Sequence, residues 1–162
     1  MKSLNYISES NESSYSDIYF LKSLVYKFKN DRQKMLELLN KSLALNEQNE
    51  RALEERALEY FFFLEYDKAN SDIQKLGQLK YIEFQKQELK SNKNVSGEQE
   101  INYMDAILST AVGYAYLIDK MIEEKKINSA SLLYDKGVEK GYKYILDSMF
   151  LSKESLQVLS NF

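Results

Sequence analysis

The sequence matches itself at an offset of 34 residues. Apolar side chains near the first copy follow the three- and four-residue spacing of an amphipathic helix, as in Ile18, Leu21, Leu24, Val25 and Phe28. No segment alternates apolar and polar residues between turn signals, as a strand would. The spacing therefore predicts an all-α chain with two helix-turn-helix units in register. The identical pairs at this offset include Leu24 and Leu58, Tyr26 and Tyr60, Phe28 and Phe62, Lys34 and Lys68, and Lys41 and Lys75.

A helix-turn-helix unit of this period resembles the tetratricopeptide repeat. The second unit carries the best match to that family's pattern, and the first unit carries a weaker one. A third unit is suggested further along the chain, while residues 81–102 do not fit. The residues that carry the resemblance are Leu53, Arg56, Ala57, Tyr60, Ala69 and Ile73 in the second unit, Tyr19, Lys22, Ser23, Tyr26, Met35 and Leu39 in the first, and Val112, Gly113, Tyr116, Ala130, Tyr134 and Gly137 in the third.

The resemblance implies an antiparallel helix-pair array, a tetratricopeptide-like α-solenoid of about six to eight helices with an irregular C-terminal half. We expect a flexible segment over 1–15 and a single helical domain over 16–162. Lys90 to Gly97 is polar and rich in Asn and Ser, which predicts a loop of unassigned role. Gly141 and Ser152 are expected to cap helices. The domain divides into repeat 1 (16–49), repeat 2 (50–83), an irregular third helix pair (99–140) and C-terminal capping helices (141–162).

Composition narrows the classes of function. The 162 residues include no His, Cys or Pro and carry a formal net charge of −3. Without His or Cys, the commonest general base, thiol nucleophile and zinc ligands are missing, so we expect no enzyme activity, no metal and no cofactor. The acidic balance argues against nucleic acid as a partner. Apolar runs are too short to span a bilayer, and no signal peptide is evident, so we expect no membrane partner and a cytoplasmic protein.

In the family, the first helices of successive pairs line a concave groove that binds a peptide or a partner helix. By the same register, Tyr60 and Phe63 would turn towards neighbouring helices, and Tyr66 would fill space beside the small residues. The alternative is that all these aromatic residues form core, because helices of the C-terminal half cover the groove. The groove positions carried over to this sequence are Phe20, Leu24, Lys27 and Phe28 in the first unit, and Arg51, Glu54, Leu58, Phe61 and Phe62 in the second.

The charged block from Asn49 to Glu59 admits two readings. Arg51 can pair with Glu54 or Glu55, and Arg56 with Glu59, at the spacings of ion pairs along one helix. This is the pattern of a solvated helix face, which we favour over paired catalytic carboxylates.

The sequence therefore predicts a non-catalytic protein-interaction module or adaptor, whose groove buries apolar side chains of a partner peptide or helix. Two alternatives stay open: a small cognate binder, such as an effector chaperone or an immunity protein, and an all-helical enzyme that works without His or Cys. A homodimer through the groove aromatic residues is a further alternative, which Phe61→Glu would dissociate.

Overall fold

The structure is a computed structural model that describes the backbone of residues 2–91 and 103–161, and the side chains of residues 14–83 and 106–161. All regular secondary structure in these residues is helical, and neighbouring helices pack as pairs, which confirms the all-α helix-pair array. The eight α-helices in the described residues are α1 (Lys2–Phe28), α2 (Arg32–Leu45), α3 (Glu50–Phe62), α4 (Tyr66–Ser91), α5 (Tyr103–Glu123), α6 (Ile127–Glu139), α7 (Lys143–Ile145), which runs into a π-helical turn (Leu146–Phe150), and α8 (Lys153–Ser160).

The chain forms two compact units, Met1–Asp72 and Ile73–Phe162. The predicted single domain and its internal bounds stay predictions. Helix α1 begins at Lys2, so the backbone of residues 2–15 is helical, and the flexibility expected there is also still a prediction. Most of the expected loop at Lys90 to Gly97 lies outside the described residues, although Lys90 and Ser91 still belong to α4.

The helix ends of the first unit repeat at the same offset as the sequence. Helices α1 and α3 end 34 residues apart, and so do the starts of α2 and α4. Both turns use a residue with left-handed backbone, Asn30 (φ 56°) and Leu64 (φ 62°). In both, the next amide donates to a carbonyl five residues back, Asp31 to Tyr26 at 2.9 Å and Glu65 to Tyr60 at 2.8 Å. This is the Schellman end of a helix, which satisfies its last free carbonyls.

Hydroxyl groups hold α1 and α2 close together. The Ser16 hydroxyl donates to the Ser42 carbonyl at 2.9 Å, and the Ser42 hydroxyl donates to the Ser16 carbonyl at 2.8 Å. Asn49 donates through its side-chain nitrogen to the Ser16 hydroxyl at 2.8 Å, and its oxygen caps α3 by accepting from the Ala52 amide at 3.2 Å. Because all three polar side chains are buried and bonded, this cluster fixes the contact of three helices without leaving a polar group unsatisfied.

Two glycines bring α4 and α5 into contact within the second unit. A Cβ on Gly77 would lie 1.9 Å from the Ser109 carbonyl oxygen, and a Cβ on Gly113 would lie 2.3 Å from the Ile73 carbonyl oxygen. Real side chains never approach backbone so closely, so only glycine permits this crossing.

The C-terminal helices begin and end at the expected caps. Gly141 follows α6 in left-handed backbone (φ 87°), and the Tyr142 amide donates to the Gly137 carbonyl at 3.0 Å. Ser152 precedes α8 and its hydroxyl accepts from the Ser155 amide at 3.0 Å. Both predicted caps are confirmed.

Candidate partner-binding surface

The nine predicted groove residues differ in their exposure to solvent. Leu24 is half-buried, while Lys27, Phe28, Arg51 and Phe62 are exposed. The other four are buried, and they are Phe20, Glu54, Leu58 and Phe61. The predicted positions therefore do not form one open surface, and the two buried phenylalanines are not presented to a partner. Whether any of the nine binds a partner stays a prediction.

Tyr60 to Phe63 are four consecutive aromatic residues at the end of α3. Their burial differs from the burial that the repeat register predicts. Phe61 is the buried one, with its ring centroid 5.7 Å from that of Tyr66 and 5.9 Å from that of Phe62. Phe63, which we expected to pack between helices, is more than half exposed. The reason is that α3 ends at Phe62, so Phe63 no longer follows the helical spacing on which the register was built.

Exposed apolar side chains gather at the end of the first unit where α1 and α3 stop. We call Phe28, Phe62, Phe63 and Leu64 the helix-end surface, with exposed fractions of 91%, 48%, 55% and 68%. Arg32, at the start of α2, connects the two turns. Its guanidinium carbon lies 4.0 Å from the Phe63 ring centroid, and its Nε donates to Glu59 at 3.0 Å. The α1–α2 turn and the α3–α4 turn therefore lie at the same end of the unit.

The charges beside this surface are paired with one another. Arg32 also donates to Glu65 at 2.5 Å, and Lys68 binds the other oxygen of Glu65 at 2.6 Å. Hydrogen bonds from Lys68 and then from Arg32 hold the pKa of the Glu65 carboxyl below its usual range. Lys27 pairs with Glu55 at 2.5 Å. The helix-end surface is thus an apolar area with several paired charges beside it.

In the block from Asn49 to Glu59, Glu55, Arg56 and Glu59 form ion pairs with residues of other helices. Arg56 binds both carboxylate oxygens of Asp72, at 2.8 and 2.7 Å, and donates to the Asn40 side chain at 2.6 Å. Burial opposes the charge on Arg56, but the bonds to Asp72 outweigh it and raise the pKa of Arg56. The predicted Arg56–Glu59 pairing is wrong, because Glu59 pairs with Arg32. Asp72 is buried, so this part of the block is a structural link between helices rather than a solvated face.

The second unit has one notable cluster of titratable groups, among the residues with described side chains. The Tyr134 hydroxyl donates to Asp147 at 2.7 Å and accepts from Lys143 at 3.0 Å, and Lys143 also binds Asp147 at 2.5 Å. Bonds to Asp147 and Tyr134 raise the pKa of Lys143, while burial, together with the bond to Asp147, raises that of Tyr134. At neutral pH the lysine keeps its charge and the tyrosine its proton. Neither group is poised to act as a base.

The described residues contain neither a metal-binding group of carboxylates nor a membrane-spanning helix. No group of three or more carboxylates within the described part of the chain is placed to hold a metal ion. Nor is any helix in that part long and apolar enough to cross a membrane. Comparison of the chain with protein-family models, curated proteins and solved structures finds no match.

Proposed function

We propose that this protein is a non-catalytic interaction module that binds a partner helix or peptide through the helix-end surface. The observation that carries the proposal is the gathering of Phe28, Phe62, Phe63 and Leu64 at one end of the first unit, all with large exposed fractions. Contiguous apolar surface on a water-exposed protein is a common mark of a binding site. The proposal moves the contact from the predicted groove to this end, because Phe20 and Phe61 are buried.

Leu64 has a backbone conformation that is unfavourable for leucine, and this supports the assignment. Left-handed backbone costs a leucine roughly 1–2 kcal/mol, whereas glycine or asparagine would fit there. Asn30 fills the corresponding position of the first turn. Leu64 also gains little from burial, since it is 68% exposed. Leucine at this position stabilises neither the backbone conformation nor the core. Its presence is explained if the side chain contacts a partner.

The neighbouring charges favour an apolar partner surface. Interfaces concentrate their affinity in a few aromatic anchors surrounded by contacts that exclude water. Phe62 and Phe63 would be the anchors, and the paired side chains of Arg32, Glu59 and Glu65 would form the border. The resemblance to the tetratricopeptide repeat belongs to this proposal, and the repeat of the helix ends at 34 residues supports it. We propose the cytoplasm as the compartment, and a cysteine-free chain is compatible with its reducing conditions.

The test compares two exposed aromatic residues that lie in different units. The full chain, Phe62→Asp and Tyr144→Asp are immobilised, and proteins retained from a lysate of the source cell are quantified. We expect a defined set of proteins to be retained by the parent and by Tyr144→Asp, and to be reduced ~30-fold by Phe62→Asp, as for an anchor worth about 2 kcal/mol. Tyr144 is 77% exposed, so it controls for the loss of an exposed aromatic ring.

Circular dichroism and thermal unfolding of each variant show that folding is intact. Equal retention of the same proteins by all three chains would show that the helix-end surface takes no part in binding.

A further inference from the structure

Helix α1 packs on α2 with one face and exposes a second, apolar face to solvent. The packed face carries Ser16, Phe20 and Ser23, which are buried. The other face carries a line of four apolar residues at alternating three- and four-residue spacing. We call this line the α1 seam: Ile18, Leu21, Val25 and Phe28, with exposed fractions of 43%, 56%, 50% and 91%. The helix thus presents to solvent the stripe that its sequence pattern would place in a core.

The spacing of the seam is that of a coiled coil. Ile18 and Val25 take the a positions of a heptad, and Leu21 and Phe28 take the d positions. Ser16 and Ser23 then fall at the f position, which lies directly opposite the a/d seam. In an isolated coiled coil f is the most solvated position, but here both f residues are buried against α2. A second helix could therefore pack on the seam while α2 stays on the far side of α1.

The heptad continues upstream in the sequence, at Leu4, Ile7, Asn11 and Ser14. The side chains of Leu4, Ile7 and Asn11 lie outside those that the structure describes, so their register is an inference from the sequence. Helix α1 has 27 residues, and a helix of that length extends about 40 Å, close to four heptads.

We propose that the α1 seam pairs with the α1 seam of a second copy of this chain, as a parallel two-stranded coiled coil. In the part of the seam with described side chains, the β-branched Ile18 and Val25 at a, with Leu21 at d, favour two strands. Charge favours the parallel orientation. Asp17 takes a g position and Lys22 the e position of the next heptad, and both are exposed. In a parallel pair each Asp17 faces Lys22 of the other copy, which gives two ion pairs across the dimer. In an antiparallel pair, the e positions of one copy lie beside the e positions of the other, so Asp17 at g would not face Lys22 at e.

The mass of the full-length protein in solution is the first test. Sedimentation equilibrium should show a reversible dimer with twice the 19.0 kDa mass of one chain. Leu21→Glu should raise the dissociation constant ~100-fold, because each dimer would bury two carboxylates at one level of the seam. Leu132→Glu is the matched control, since Leu132 is also a half-exposed leucine on a helix, and it should leave the dimer unchanged.

The absence of cysteine allows a test of orientation. Ser14→Cys and Leu21→Cys, made separately, should each form a disulfide-linked dimer on mild oxidation, because only a parallel pair places every d residue beside its own copy. Gln33→Cys, on the exposed side of α2, should not. A chain that stays monomeric at about 0.1 mM overturns the proposal. So does a dimer that Leu21→Glu leaves intact, or one in which only one of the two seam cysteines cross-links. Phe28 belongs to both surfaces, whereas Phe62 belongs only to the helix-end surface. Variant Phe62→Asp should therefore leave the dimer intact, so failure of the seam and failure of the helix-end surface give different results.

Discussion

Lys125 ends helix α5 with the backbone conformation that glycine adopts most readily. Its φ is 60°, its amide donates to the Ile122 carbonyl at 2.9 Å, and the next amide, of Lys126, donates to Met121 at 2.7 Å. The side chain is exposed, so it contributes little by burial. At this position the backbone geometry decides which residue is most stable.

We expect Lys125→Gly to stabilise the protein by about 1 kcal/mol, because glycine enters left-handed backbone without the steric cost of a Cβ. Lys125→Ala keeps that cost and removes the same charge, so it should leave stability nearly unchanged. Urea unfolding of both variants measures the difference. Equal stability of the glycine and alanine variants would contradict the account of this turn.

Local sequence signals predicted the helix caps well and the exposure of the aromatic residues poorly. The caps at Gly141 and Ser152 follow from a residue and its immediate neighbours, and both were predictable. The burial of Phe61 and the exposure of Phe63 were not, because they depend on where α3 ends. That end is set at Leu64, a residue type that gives no turn signal in the sequence.

Helices α4 and α5 approach each other closely through two residues without side chains. In the sequence Gly77 and Gly113 stand singly and far apart, and they carry no recognisable motif. The structure brings them together at the α4–α5 crossing of the second unit, where a Cβ on Gly77 would also lie 2.9 Å from the Gly113 amide nitrogen. No local pattern predicts such a contact, because it depends on which helices become neighbours.

Gly77→Ala should destabilise the protein by about 2–3 kcal/mol, since the added methyl group would meet the Ser109 carbonyl and force two backbones apart. Thermal unfolding gives the measurement. Gly141→Ala serves as the comparison: its Cβ would enter open space, but φ is 87°, so the cost should be only about 1 kcal/mol from backbone strain. A Gly77→Ala protein as stable as the parent would show that the two helices do not cross this closely.

Helix α1 shows why an amphipathic pattern can be assigned to the wrong face. The spacing of Ile18, Leu21, Val25 and Phe28 correctly predicted a helix, and a stripe of this kind commonly faces a core. The structure packs the opposite face instead, through Phe20, through Ser16, which exchanges hydrogen bonds with Ser42 of α2, and through Ser23, which donates to the Phe20 carbonyl of its own helix. Serine looks polar in a sequence, yet it is well suited to a close helix contact when its hydroxyl finds a backbone carbonyl.

For the whole molecule, the fold class could be predicted from the sequence and the binding surface only in part. Period and helical spacing are repeated along the chain, so they predict helix pairs reliably. Exposure depends on how the helix pairs pack. Among the predicted groove residues, Phe28 and Phe62 are exposed, whereas Phe20 and Phe61 are buried. The central claim is therefore that the helix-end surface contacts a protein partner.

Site-specific photo-crosslinking tests that claim most directly. A photoreactive phenylalanine analogue replaces Phe62 in one full-length protein and the exposed Tyr144 in another, and each is irradiated in the source-cell lysate. The account predicts a discrete cross-linked product at position 62, which excess unlabelled parent competes away and excess unlabelled Phe63→Asp does not. It predicts no such product at position 144. A product at position 144 with none at position 62 would contradict the proposed function.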